Sequence, residues 1–234
     1  MINHQYSYLI GTIFLFGIWL MIYLKRKDIR KEMLGISVFF LLFSFTEIIY
    51  YYDWWRPQTI THTIIGFESF LFAFSYSGIV SVLYEVVFQK QLRRTRLPLS
   101  LRKNHKLYFL VEGTLLVGLF LYSFFVLHIN SLLTILITLT TGIILIWIYR
   151  PDLIMSSIIS GILSVIIMVP VFLFTEFITP GVVLEFWLFK NVAPIIILGV
   201  PIDDFLFYLF TGMFIGPLYE YWHESRLVTL KKNT

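Results

Sequence analysis

The chain has 234 residues, of which 58% are hydrophobic and only 14% charged. A water-soluble domain carries about 25% charged residues, so this chain has too few polar groups to cover itself in water, and lipid is its expected solvent. The absence of cysteine excludes disulfides, iron–sulfur clusters and thiolate metal sites. The net charge of +4 comes from basic residues in short loops between apolar runs, which marks membrane orientation rather than nucleic-acid binding.

Crossing the hydrocarbon core takes about 20 apolar residues. Seven runs meet or approach that length: Tyr6–Tyr23, Met33–Tyr52, Ile64–Phe88, Leu107–Leu127, Leu132–Tyr149, Leu153–Phe177 and Pro201–Trp222. Transmembrane strands would be about half as long and would alternate polar with apolar residues, so an all-α integral membrane fold is expected. The first run has no basic residue before it and Lys25-Arg26-Lys27 after it. That charge order reads as a retained anchor with an outer N-terminus, not a cleaved signal peptide.

The later loops follow the same alternation. The inner loops take Lys25, Arg26, Lys27, Arg30 and Lys31, then Lys90, Arg93, Arg94, Arg96, Arg102, Lys103 and Lys106, then Arg150, and finally Arg226, Lys231 and Lys232. Of the 18 basic residues, only Arg56 and Lys190 fall in outer loops. The bias predicts seven transmembrane helices with the N-terminus out and the C-terminus in, as a multi-pass cell-membrane protein. The basic loop Lys90–Lys106 reads chiefly as an orientation signal, with anionic lipid head groups as a second use.

The chain also repeats itself. Gly66-Phe67-Glu68-Ser69-Phe70-Leu71-Phe72 runs on to Leu83-Tyr84-Glu85, and a shift of 135 positions lays this on Asp203 to Phe207 and Leu218-Tyr219-Glu220 without a gap. Upstream, Thr46-Glu47 and Thr175-Glu176 each close a helix before an aromatic outer stretch. Helices one to three therefore pair with five to seven. Residues 1–89 form a first three-helix repeat, 90–130 a basic loop and linking helix, and 131–234 a second repeat. A single linking helix makes the two units parallel, about a pseudo-two-fold axis along the membrane normal.

Ionisable residues inside membrane segments are costly and mark functional sites by default. Glu47, Glu68, Glu176, Asp203 and Asp204 all fall near the expected outer ends of helices, from both halves, and are the candidate catalytic acids. Helix capping accounts for one acid at a helix start, but less well for adjacent acids joined by Glu47 and Glu176. Phe70, Phe72, Phe205 and Phe207 follow the acids into the membrane. Together with Trp54, Trp55, Trp187, Tyr219 and Glu220 they are the candidate substrate-binding residues, although tryptophan and tyrosine also populate interfacial belts. Glu85, Glu112 and Glu220 lie near inner helix ends, where pairing with basic loops or lipid head groups is the plainer reading for Glu85 and Glu112; for Glu220, whose Tyr-Glu pair is repeated, a functional role stands level with it.

No phosphate-cradling glycine loop, dinucleotide fingerprint or paired-histidine metal pattern is present, so neither a cofactor nor a metal is expected. Carboxyls beside aromatic rings at a lipid boundary remain. A carboxyl buried in an apolar pocket beside a second carboxyl keeps its proton. Such an acid can protonate a polyene, ring faces can stabilise the cation, and a second carboxylate can remove a proton. The product would be a cyclised isomer made without redox change.

Pro201-Ile202-Asp203-Asp204-Phe205-Leu206-Phe207, the run Gly212–Glu220 and the weaker copy at Gly66–Glu85 resemble the lycopene cyclase domain family, the membrane-embedded, flavin-independent carotenoid cyclases. The resemblance implies conversion of a linear lycopene-type carotenoid to ring-ended products. Its partners would be an isoprenoid substrate, the bilayer and other carotenoid-pathway enzymes, with no nucleic acid. The family's acidic pair is usually two glutamates, and it falls here on Asp203 and Asp204. The first copy, Phe67-Glu68-Ser69, lacks the proline and one acid, which departs from a symmetric two-site pattern. The competing readings are a cyclase or transferase acting on another isoprenoid, a membrane transporter and an isoprenoid-binding protein. A retinal-binding protein is disfavoured because Pro201–Trp222 holds no lysine.

Overall fold

In lipid every backbone N–H and C=O must find a partner within its own segment, and the apolar runs do so as helices. The structure, a computed structural model, describes residues 4–94 and 105–229. In chain order the helices are α1 (Ser7–Lys25), α2 (Arg30–Phe40), α3 (Glu47–Asp53), α4 (Phe67–Phe88), α5 (His105–Phe125), α6 (Ser131–Tyr149), α7 (Ile154–Ile178), α8 (Val182–Phe186), α9 (Ile202–Ile215) and α10 (Leu218–His223). A 3₁₀ stretch, Leu41–Thr46, joins α2 to α3.

Six stretches are long and apolar enough to cross a membrane among the described residues: His4–Lys25, Arg30–Asp53, Phe67–Phe88, Leu107–Phe125, Ser131–Tyr149 and Pro151–Ile178. The expected seventh run is interrupted. Its first helix stops at Ile215 after 14 residues, and α10 restarts at Leu218. The break falls at Gly216-Pro217 because proline has no N–H to donate and its ring crowds the preceding turn. Glu47 likewise does not end a helix but opens α3, and Glu176 lies two residues before the end of α7.

Helix α4 is the hub. Of its most apolar window 56% is buried, against 11% for α5. It packs on α1, α2 and α7, whereas α5 packs chiefly on α6 and turns much of its surface outward. Helices α7 and α9 pack closely. A Cβ on Gly212 would stand 2.8 Å from both the Gly161 Cα and the Ser160 carbonyl oxygen. Small residues permit this contact, and van der Waals packing of such surfaces is what joins helices in lipid.

At the end that carries Arg26 and Arg150, two short strands pair antiparallel: β1 (Lys90–Arg94) and β4 (Ser225–Thr229). Lys90 faces Thr229, Leu92 faces Leu227 and Arg94 faces Ser225, so a 135-residue exchange leaves the pairing unchanged. Two arginines repeat one arrangement here. Arg26 binds Asp28 and donates to the carbonyls of Glu85 and Lys90; Arg150 binds Asp152 and donates to the carbonyls of Glu220 and Ser225. The basic residues Arg96, Arg102, Lys103, Lys231 and Lys232 lie outside the described residues.

At the other end, the loops after α3 and α8 join. Arg56 N–H donates to the Phe186 carbonyl (2.8 Å) and Leu188 N–H to the Trp54 carbonyl (3.0 Å), around a bridge between Trp55 and Trp187. A tight hairpin follows, β2 (Ile196–Ile197) with β3 (Val200–Pro201), turning through Gly199 at φ +75°. It delivers the chain into α9 with Asp203 and Asp204 in the first turn.

Candidate active site

A cavity of about 690 Å³ runs through the protein beneath the joined loops. One face of α9 lines it, through Asp204, Phe207, Tyr208, Thr211, Phe214 and Ile215, and the face continues across the break to Leu218. Fourteen residues of helix at 1.5 Å each make this face about 20 Å long. One face of α5 also lines it, from Phe109 to Leu121, and residues of α1, α2, the 3₁₀ stretch, α3, α4, α6, α7 and α8 line the rest. The lining is overwhelmingly apolar and aromatic. At one side it reaches Leu42, Phe45, Val117 and Leu121, which are all exposed, so the cavity opens sideways between the 3₁₀ stretch and α5.

The structure separates the five candidate acids into two groups. Asp204 and Glu47 are buried and line the cavity. The Trp187 indole N–H donates to Asp204 Oδ2 at 2.6 Å. Glu47 has Ser69 beside it and one oxygen without a hydrogen-bond partner among the described residues. The other three grip backbone. Glu68 accepts from Ile60 N–H (2.8 Å), Asp203 from Ala193 N–H (3.0 Å), and Glu176 from Gly181 N–H (2.6 Å) and Val183 N–H (3.3 Å). None of these three lines the cavity.

Adjacent residues on a helix point about 100° apart, so with Asp203 turned to the Ala193 amide, Asp204 is free to line the cavity. The same offset holds in the first half, where Glu68 holds its loop and Ser69 lines the cavity. Ser69 therefore stands where the 135-residue shift puts Asp204, and the carboxyl missing from that position arrives on Glu47, from α3.

The aromatic candidates divide too. Trp54, Trp55, Trp187, Phe72 and Phe207 line the cavity, whereas Phe70, Phe205, Tyr219 and Glu220 do not. Trp55 and Trp187 lie 5.8 Å apart between ring centroids, and Trp54 and Phe207 5.1 Å. Sequence reasoning missed Tyr8, Tyr76, Phe172 and Tyr208, which complete the walls around the acids. Tyr208 follows Asp204 by four positions and was available from helical periodicity. Tyr8 and Phe172 come from α1 and α7, and no local pattern links them to α9. At the far end, Tyr221 O–H donates to Glu112 Oε2 at 2.7 Å, and both line the cavity.

Residues 130–222 match the family model described as lycopene cyclase. Over that stretch the chain is similar to the lycopene cyclase family. The match covers the stretch that contains Asp204, Trp187 and the lining face of α9, and leaves residues 1–129 and 223–234 outside it. No curated protein and no solved structure matches the chain. The six stretches long and apolar enough to cross a membrane agree with a membrane setting for that match.

Proposed function

We propose that this chain is a membrane-embedded carotenoid cyclase that closes a ring on a lycopene-type polyene end by acid catalysis, with no redox change and no cofactor. The observation that carries the reading is Asp204. It is a buried carboxyl in the aromatic-walled cavity, oriented by the Trp187 indole, in the stretch that matches the family. A linear polyene enters sideways from the lipid past Leu42 and Phe45 and lies along the face of α9. Asp204 protonates the terminal double bond. The tertiary cation is attacked by the next double bond in reach, and a carbon–carbon bond closes the ring. The faces of Trp55, Trp187 and Tyr208 stabilise the charge as it moves. Glu47 removes a proton from the ring carbon beside the new cation. One proton enters the substrate and one leaves, so the product is an isomer, and proton exchange between the two acids resets the site.

The same reading takes residues 1–89 and 131–234 as two three-helix repeats joined by 90–130, with seven crossings, the broken α9–α10 segment being the last. The N-terminus lies outside and the C-terminus inside. The matching arginine networks of Arg26 and Arg150 support the repeats, and the inner bias of basic residues supports the orientation. Each repeat would then supply one acid to a single site.

Pigments extracted from a lycopene-accumulating bacterium that expresses the chain test the reading. Cyclic carotenes are expected with the wild type and not with Asp204→Asn. Unchanged lycopene, with the protein inserted in the membrane, overturns the cyclase assignment for that substrate. Cyclisation that survives Asp204→Asn overturns the role of the acid.

A further inference from the structure

Three glutamates from three different helices meet at the basic end of the protein, away from the cavity. Glu32 is on α2, Glu85 on α4 and Glu220 on α10, and one carboxylate oxygen of each lies within 4.8 Å of the other two. Their exposures are 1%, 0% and 1%, so water does not solvate them. None of the three lines the cavity, and nothing in the proposed chemistry uses them.

A buried carboxylate is tolerated when it is paired, hydrogen-bonded or bound to a metal. Glu85 and Glu220 are related by the 135-residue shift and could be dismissed as a relic of that pattern. Glu32 is independent of it. It comes from another helix and another motif, and both of its oxygens lack a hydrogen-bond partner among the described residues. Glu85 and Glu220 stand close enough to share a proton with each other, but that arrangement leaves Glu32 with nothing.

The nearby cations are committed elsewhere. Arg26 holds Asp28 and two backbone carbonyls, Arg150 holds Asp152 and two more, and among the described residues neither is ion-paired to the three glutamates. The unmet need is for a positive charge that accepts oxygen from three sides.

We propose that Glu32, Glu85 and Glu220 bind one divalent cation of the oxygen-seeking class, such as Mg²⁺, Mn²⁺ or Ca²⁺. An all-carboxylate donor set suits these ions rather than thiolate- or imidazole-seeking metals. The spacing agrees. Ca²⁺ holds oxygens at about 2.3–2.6 Å, so opposite ligands lie up to about 5 Å apart. Two of the ligands follow the Leu-Tyr motif in each half, so the ion would clip α4 to α10 near the β1–β4 pairing, with α2 as the third anchor. Its role is to hold the two halves together, and it does not depend on the cyclase reading.

The test uses the full chain in detergent, stripped with a chelator and titrated with Mn²⁺, with free Mn²⁺ read by electron paramagnetic resonance and thermal unfolding followed in parallel. The wild type is expected to bind one Mn²⁺ per chain, displaced by Ca²⁺ or Mg²⁺, with a rise in unfolding temperature. Glu32→Gln is expected to lose at least tenfold in affinity. Asp204→Asn, which removes the proposed acid of the cavity, is expected to bind as the wild type does. Folded wild type that binds no stoichiometric Mn²⁺, Ca²⁺ or Mg²⁺ overturns the proposal, whether or not the variants fold. Binding unchanged in a folded Glu32→Gln overturns it as well. If Glu32→Gln does not fold, Glu85→Gln serves in its place, with the same expected loss, and unchanged binding there overturns the proposal too.

Discussion

Positions 68–69 and 203–204 occupy corresponding places and differ in one respect. Glu68 and Asp203 each turn back and accept a backbone amide from the loop before their helix. Their neighbours, Ser69 and Asp204, both line the cavity, Ser69 while also accepting the Gly66 N–H at its helix start, and only one of them is an acid. Where a carboxyl holds a loop, both halves keep it. Where it would face the cavity, one half has serine, and Glu47 approaches from another helix. A pair of adjacent acids in the sequence is therefore two different devices in space, one holding the entry to the helix and one facing the cavity.

The widest separation between the two devices should come from removing the cavity acids. Asp204→Asn is expected to lower cyclic product by about a hundredfold or more, the usual weight of a positioned general acid, in single-turnover assays with extracted lycopene. Ser69→Ala at the corresponding place should stay within about tenfold of wild type. Glu47→Gln should fall between them, since it removes the proposed proton acceptor but leaves the proposed initiating acid. If Ser69→Ala and Asp204→Asn lose equal activity, the asymmetry of the halves is not functional.

The loop-holding acids should show in stability instead. Asp203→Asn and Glu68→Gln keep a weaker acceptor for the Ala193 and Ile60 amides, and each is expected to cost about 1 kcal/mol in unfolding measured in detergent, with turnover largely kept. A loss of turnover in Asp203→Asn as deep as that of Asp204→Asn would return both acids to the chemistry. Gly212→Leu tests the scaffold beneath. Its side chain would have to displace backbone of α7, at a cost of about 1–3 kcal/mol, with a lower unfolding temperature as the readout.

The smallest effect is expected at the basic end, in the arginine networks. The Arg26 guanidinium holds the Asp28 carboxyl below its ordinary range. That contribution is present at neutral pH and is lost as pH falls through the lowered value. The pair is partly exposed, so solvent screening limits it, and Asp28→Asn should cost under about 1 kcal/mol at pH 7. The difference between wild type and variant should vanish in strong acid.

Hydropathy, the bias of Lys and Arg, the ungapped echo of Gly66–Glu85 in the second half and the Asp203-Asp204 motif are all local, and each was legible in the chain because segment length, charge and spacing are properties of the residues in order. The six long spans follow from that. The break at Gly216-Pro217 was legible in principle, since proline interrupts a helix wherever it stands. Long-range packing decided what no local pattern contains. It set Trp187 on Asp204, brought Glu47 to Ser69 and gathered Glu32 with Glu85 and Glu220. A search for paired histidines on one helix face could not find that last cluster, whose members lie on three helices. The physical reason is that in lipid the hydrophobic effect drives residues into the membrane but does not choose neighbours there. Close contact, hydrogen bonds and the need of buried polar groups for partners make that choice, and they act between residues the sequence holds far apart.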